Sequence, residues 1–135
     1  MQTLIGLHSL WRWMVLLVVT VALVRGLIGW LRGGVWTGND RILALVAVSA
    51  LDIQLILGLL LYGTTKSWNA GTFIAYIHPL VMLAAIVVAH ITSSRIRKTT
   101  EARGKFRTLA IGLIVAVFLI TAAIPPGTWS RAWVA

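Results

Sequence analysis

Four long apolar segments, each close to the length of a membrane-spanning helix, constrain this chain more than any other feature. They cover residues of about 4–31, 42–62, 73–92 and 107–124, and short segments rich in turn-forming residues separate them. A helix needs roughly 20 residues to cross the hydrocarbon core of a bilayer, and isolated strands cannot satisfy their backbone polar groups there. The sequence therefore predicts an all-α integral membrane four-helix bundle, with residues 1–135 forming a single transmembrane domain.

The composition supports a membrane environment. Charged residues make up 11% of the chain and hydrophobic residues 59%, whereas a soluble domain has about 25% charged residues. The absence of cysteine excludes disulfides, thiolate metal sites, iron–sulfur clusters and covalently attached haem. The first apolar segment is too long for a signal peptide and lacks a basic start, so we expect it to remain in the mature protein.

The positive charges are unevenly distributed and predict an orientation. Six of the twelve basic residues lie between positions 93 and 107, which is typical of a cytoplasmic loop of a membrane protein rather than of a nucleic-acid-binding surface. Such a loop can also contact anionic lipid headgroups. With four spans, the positive-inside rule places both termini on the outer, periplasmic side of a bacterial cytoplasmic membrane.

Several polar residues lie within the apolar segments, and their depth follows from a rise of about 1.5 Å per residue. His8 and His78 fall at the same level below the outer surface, and Arg12 lies one turn deeper than His8 on the same helix face. Asp52 falls at a depth similar to that of Arg12. Because an intramembrane charge normally pairs or faces a wet cavity, we expect Asp52 and Arg12 to meet inside the bundle, with Gln54 as a further partner.

His90 follows His78 by twelve residues and is therefore roughly 18 Å deeper, pointing about 120° away around the helix. We expect His90 and Arg25 to lie near the inner surface, where both can reach headgroups. No third histidine lies at the level of His90. The sequence thus allows at most one pair of histidines at a common depth, and predicts no metal beyond a haem iron.

Three interpretations of the outer polar residues remain open. In the first, His8 and His78 ligate a haem b and Arg12 contacts a haem propionate, as two neutral imidazoles on facing helices can do. In the second, the polar side chains form a structural hydrogen-bond network. In the third, they line a pocket for a quinone, a lipid headgroup or a pigment.

The sequence contains no motif typical of an enzyme active site. It has no HExxH sequence, no glycine-rich phosphate loop, and no serine or cysteine nucleophile at motif spacing from a base. We therefore expect no catalytic residues, and at most a non-catalytic role in an oxidoreductase complex.

The stretches "LHSLWRW", "DIQLILGLLLY", "HPLVMLAAIVVAH" followed by a basic loop, and "AIPP" resemble a family of small bacterial four-helix membrane proteins described as cytochrome-b-like. The resemblance spans nearly the whole chain and rests on the His8–Arg12, Asp52–Gln54 and His78–Pro79–Met82 patterns. It implies a small accessory subunit of a larger respiratory or photosynthetic electron-transfer complex, which it would stabilise while holding one haem b. The alternative is a stand-alone b-type cytochrome or a membrane protein that binds a quinone, lipid or pigment.

Overall fold

The computed structural model describes residues 2–129, which form four long α-helices and no strand. The helices are α1 (Gln2–Arg32), α2 (Gly38–Thr64), α3 (His78–Lys98) and α4 (Ala102–Ala123). A 3₁₀ turn (Ser67–Asn69) follows α2, and a π-helical turn (Phe73–Ile77) leads directly into α3. Each of the four spans is long and apolar enough to cross a membrane. The predicted all-α class and the number of long apolar helices are confirmed for the described residues.

The helices are arranged so that α1 packs against α2 and α4, and α3 packs against α4. The contact between α2 and α3 is the least extensive of the four neighbouring pairs. The starts of α1 and α3 and the ends of α2 and α4 lie together at one end of the bundle, which we call the histidine end. The opposite end, which carries the segment between α3 and α4, is the basic end.

Small side chains fill much of the interior, and large apolar side chains cover much of the exterior. Gly112 on α4 faces Thr92 on α3 so closely that an added Cβ atom would overlap the threonine hydroxyl. Such close approach is typical of helices that associate in membranes, where small residues line the contacts. Among residues 2–129, ten alanines are buried: Ala22, Ala44, Ala47, Ala50, Ala75, Ala85, Ala89, Ala110, Ala116 and Ala123. By contrast, Leu17, Leu59, Leu80 and Phe118 are exposed.

The helices extend further than the apolar segments that predicted them. The third helix was expected to end near residue 92 and the fourth to begin near 107, but α3 continues to Lys98 and α4 begins at Ala102. Most of the basic loop is therefore helical. Apolar runs mark the length that fits in hydrocarbon, whereas lysine and arginine are good helix formers and let the helices continue beyond it. Basic residues also interact favourably with the C-terminal turn of α3.

The start of α2 is held by a capping box. The Thr37 hydroxyl accepts a hydrogen bond from the Asp40 backbone N–H, and the Asp40 carboxylate accepts one from the Thr37 backbone N–H. This reciprocal arrangement satisfies backbone donors that the first helical turn leaves unpaired. Asp40 also binds Arg25 of α1, so the cap ties the end of one helix to the start of the next.

Candidate functional site: the histidine cluster

Three polar side chains from three helices meet at the histidine end, and we call His8, Gln54 and His78 the histidine cluster. The His8 and His78 rings lie edge to face, with their centroids 6.2 Å apart and their planes at 75°. Both side chains are partly buried. The two histidines that were predicted to share a depth are therefore also in contact across the bundle.

The His78 ring is oriented by a hydrogen bond to the end of α4. The carbonyl oxygen of Ala123, at the end of α4, lies 2.7 Å from His78 Nδ1. Because a carbonyl only accepts, Nδ1 carries the hydrogen and donates, and Nε2 of a neutral ring keeps its lone pair. Histidines that ligate metals are usually held in this way, by a hydrogen bond from the ring nitrogen that does not bind the metal.

The backbone before His78 has an unusual geometry with a physical cause. Pro79 has no N–H, so the helix would leave the carbonyl of Ala75 without its usual donor. The Tyr62 hydroxyl of α2 donates to that carbonyl at 3.0 Å. The π-helical turn Phe73–Ile77 ends where α3 begins at His78. Wide turns of this kind occur frequently at functional sites.

His8 is held by the side-chain amide of Gln54. Gln54 Nε2 donates to the backbone carbonyl of His8 at 3.2 Å and lies 3.4 Å from His8 Nε2. Gly58, one turn further along α2, leaves room for the imidazole, since a Cβ atom there would lie 3.3 Å from His8 Cε1. One face of α2 is thus shaped around the His8 ring.

Two buried polar atoms of the cluster have no hydrogen-bond partner within residues 2–129. They are His8 Nδ1 and Gln54 Oε1. A buried polar group without a partner costs about 1–3 kcal/mol, and native proteins rarely leave one without a functional reason or a bound group. The histidine cluster therefore has polar capacity beyond what these helices satisfy.

Arg12 lies one turn along α1 from His8 and contacts the segment after α4. Its guanidinium donates to the hydroxyl of Thr128 at 3.3 Å and to the carbonyl of Thr128 at 3.2 Å. It also lies over the Trp13 ring, 5.3 Å from the ring centroid. Arg12 thus places a positive charge beside the histidine cluster.

The predicted meeting of Arg12 and Asp52 is wrong. Asp52 instead accepts a hydrogen bond from His90 Nε2 at 2.8 Å, and Gln54 contacts His8 rather than either charged residue. Residues two apart on a helix point about 200° away from each other. Because Gln54 faces the interior and is buried, Asp52 must face outward, where its side chain is 42% exposed.

The two residues predicted to reach headgroups at the basic end have other partners. His90 pairs with Asp52, which lies near the middle of α2, so His90 is not at the end of its helix. Arg25 Nε lies 2.6 Å from Asp40 Oδ1, and its guanidinium lies 4.9 Å from the Phe106 ring centroid. Arg25 therefore contacts Asp40 and Phe106, and the sequence analysis predicted neither partner.

Several groups around the cluster were missed from the sequence. The carbonyls of Ala123 and Thr128 carry no sequence signature, because every residue has a carbonyl. Tyr62 and Gly58 did carry a signal. A tyrosine at the end of α2 is a donor at the level of the carbonyl that Pro79 leaves unpaired, and a glycine near a predicted ligand indicates space.

The histidine cluster offers two imidazoles, which could hold a haem. The described residues contain no group of three or more His, Cys, Asp or Glu side chains that could hold an ion. Comparison with known proteins adds nothing further: no family model, curated protein or solved structure matches the chain.

Proposed function

We propose that this chain is an integral membrane electron-transfer subunit that holds one haem b between His8 and His78. The observation that carries the proposal is the pair of neighbouring imidazoles, 6.2 Å between centroids, on two helices of an apolar bundle. Bonds from imidazole nitrogen to a transition metal are about 2.0 Å long, so two rings at roughly this separation could both bind one haem iron.

The chain's own residues would bind and orient the group. His78 presents Nε2 because its Nδ1–H is held by the Ala123 carbonyl. His8 presents its ring beside Gly58, with Nε2 next to the Gln54 amide and Nδ1 without a hydrogen-bond partner among residues 2–129. Arg12, one turn away, supplies the positive charge that a propionate favours. When bound, the haem would accept and release one electron at a time.

Such a subunit would assemble with other subunits in a larger membrane complex. The described helices are joined by short connections, and exposed apolar side chains line all four of them. An electron donor or acceptor would therefore reach the site through neighbouring membrane subunits of a respiratory or photosynthetic assembly, in keeping with the family resemblance. Lipid would cover the remaining apolar surface, and no nucleic-acid partner is proposed.

The decisive experiment is spectroscopic. The purified chain should give a reduced-minus-oxidised difference spectrum of the b type, with one haem per chain. His8→Ala and His78→Ala should each lose that spectrum. His90→Ala is the matched control, because the third histidine lies outside the cluster, and it should keep the spectrum.

A folded chain that binds no haem when the cofactor is supplied in excess would refute the proposal. If His8→Ala and His78→Ala then lowered stability, the structural hydrogen-bond network would be the better interpretation. The links from His8 to Gln54 and from His78 to Ala123 favour that second candidate, since together they join all four helices.

The proposed orientation, with both termini periplasmic in a bacterial cytoplasmic membrane, has its own test. The chain contains no cysteine, so single cysteines report their own accessibility. In intact cells, a membrane-impermeant maleimide should label Ala70→Cys, between α2 and α3, and should not label Thr100→Cys in the basic segment. The reverse pattern would invert the topology and leave the haem proposal untouched.

A further inference from the structure

An ionisable pair lies on the outer surface of the bundle, at the middle of α2. Asp52 Oδ1 accepts a hydrogen bond from His90 Nε2 at 2.8 Å, and the two side chains are 42% and 53% exposed. Ionisable residues in membrane spans almost always face the bundle interior or a water-filled cavity. This pair instead faces away from the helices that the described chain provides.

The exposed residues around the pair lie along one face of α2 and one face of α3. Along α2, exposed or partly exposed side chains recur at alternating steps of three and four: Ile42, Leu45, Ser49, Asp52, Ile56 and Leu59. Along α3 the same steps give Leu80, Leu83, Val87 and His90. Steps of three and four place these side chains along one face of each helix, where they can pack against a further helix. A polar residue within such a helix–helix seam commonly fixes register and the number of chains.

The pair and the neighbouring Ser49 on this face have polar atoms that form no hydrogen bond within residues 2–129. Within residues 2–129, Asp52 Oδ2, His90 Nδ1 and the Ser49 hydroxyl take part in no hydrogen bond. The hydrogen bond between the carboxylate and the imidazole lowers the cost of keeping the two groups in hydrocarbon. The same two groups are complementary to a rotated copy of themselves, since a ring N–H of one copy can donate to the second carboxylate oxygen of the other.

We propose that the face formed by α2 and α3 around Asp52 and His90 binds a second copy of this chain. In a two-fold dimer with its axis parallel to the helices, each residue meets its equivalents at the same depth, so the interface must be self-complementary. Asp52 of one copy then accepts from His90 of the other, and the Ser49 side chains permit close approach of the α2 helices. The less extensive contact between α2 and α3 leaves this face the least closed of the bundle.

The absence of native cysteine makes the interface directly measurable. Ser49→Cys and Ile56→Cys place a thiol on the proposed seam, whereas Ile111→Cys and Phe118→Cys place one on the exposed face of α4. On oxidation in membranes at low protein density, at least one seam variant should form covalent dimers several-fold more efficiently than both controls. Equal cross-linking on both faces would overturn the proposal.

A second measurement tests the polar pair itself. In dilution experiments on labelled chains in vesicles, Asp52→Leu and His90→Leu should each raise the dimer dissociation constant about tenfold or more, a change of about 1.4 kcal/mol. Helical circular dichroism and a single symmetric elution peak establish that each variant is folded. The proposal would be refuted if the native chain stayed monomeric at every density. It would also be refuted if the chain carrying both Asp52→Leu and His90→Leu dimerised as strongly as the native chain. An interface with a different protein would appear as such a monomer.

Discussion

Arg25 and Asp40 bring the end of α1 to the start of α2 through a pair of parallel hydrogen bonds. Arg25 Nε lies 2.6 Å from Asp40 Oδ1, and Arg25 Nη2 lies 3.2 Å from Asp40 Oδ2. The carboxylate is almost fully buried and also accepts from the backbone N–H and hydroxyl of Thr37. One acidic side chain thus serves as both helix cap and interhelical link at the basic end.

Removing that carboxylate should destabilise the bundle measurably. Asp40→Ala should lower the free energy of unfolding by about 2–3 kcal/mol, less than the loss of a fully buried partner, because Arg25 is about one-third exposed. Reversible unfolding in mixed detergent micelles, followed by circular dichroism, provides the measurement. The neighbouring and exposed Asn39 supplies the control, and Asn39→Ala should change stability little.

A double variant separates the two roles of Asp40. Arg25→Ala combined with Asp40→Ala should be more stable than the sum of the single losses predicts, because neither charge is then left without its partner. Strict additivity would mean that Asp40 acts through the capping box alone.

The sequence predicted the common level of His8 and His78, but it placed His90 too near the inner surface and Asp52 on the wrong helix face. Asp52 illustrates why the helix faces were poorly predicted. Depth follows from counting residues along a helix, and counting correctly placed His8 opposite His78. In a soluble helix the apolar stripe also identifies the buried face. These helices are apolar on all sides, so no stripe indicates that Gln54 points inward and Asp52 outward. The error in pairing Asp52 with Arg12 followed directly from this missing signal.

The partners of the site residues were also beyond sequence reasoning for a physical reason. His78 and Arg12 bind the carbonyls of Ala123 and Thr128, which are set by how α4 ends rather than by residue type. Thr37 and Asp40, by contrast, show the spacing of a capping box and could have been read as one. Side-chain caps are therefore predictable here, whereas backbone acceptors contributed by a distant helix are not.

Tyr62 should stabilise the turn that presents His78. Tyr62→Phe removes the hydroxyl that donates to the Ala75 carbonyl at 3.0 Å, and should cost about 1 kcal/mol, the usual value of an interhelical hydrogen bond in a membrane. The haem occupancy of purified protein should fall with it, since the turn before His78 loses a fixed position. Equilibrium unfolding and haem content measure the two effects.

Tyr76 provides a matched control for this change. It lies within the same turn, its side chain is exposed, and its hydroxyl makes no hydrogen bond to a described residue. Tyr76→Phe should leave both stability and haem occupancy unchanged. Equal effects of the two substitutions would argue against a specific role for the Tyr62 hydroxyl.

Gly112 should be essential for the close approach of α3 and α4. Gly112→Ala places a methyl group against the Thr92 side chain and should destabilise the bundle by about 1–3 kcal/mol, as overpacking generally does. Adding Thr92→Ala should recover part of that loss, because it removes the opposing hydroxyl and methyl groups but leaves the Cβ atom of residue 92, which lies 2.7 Å from the added atom. Thermal unfolding of the two variants measures both effects.

Gly63 on α2 is the control for the helix propensity of alanine, since nothing lies within 4 Å of its added Cβ atom. Gly63→Ala should leave stability unchanged or raise it slightly. A Gly112→Ala protein as stable as the native chain would show that α3 and α4 can separate at no cost.

Gln54 distinguishes the two interpretations of the histidine cluster. Its amide donates to the His8 carbonyl and approaches His8 Nε2, one of the two ring nitrogens that could hold an iron. Gln54→Leu should therefore lower the stability of the haem-free chain by about 1 kcal/mol, yet keep the haem content at or above the native value. Gln2, exposed at the start of α1, is the other glutamine of the chain, and Gln2→Leu should change neither quantity. If Gln54→Leu lost haem as completely as His8→Ala, the amide would be needed to hold the group, and its competition with iron for His8 would be refuted.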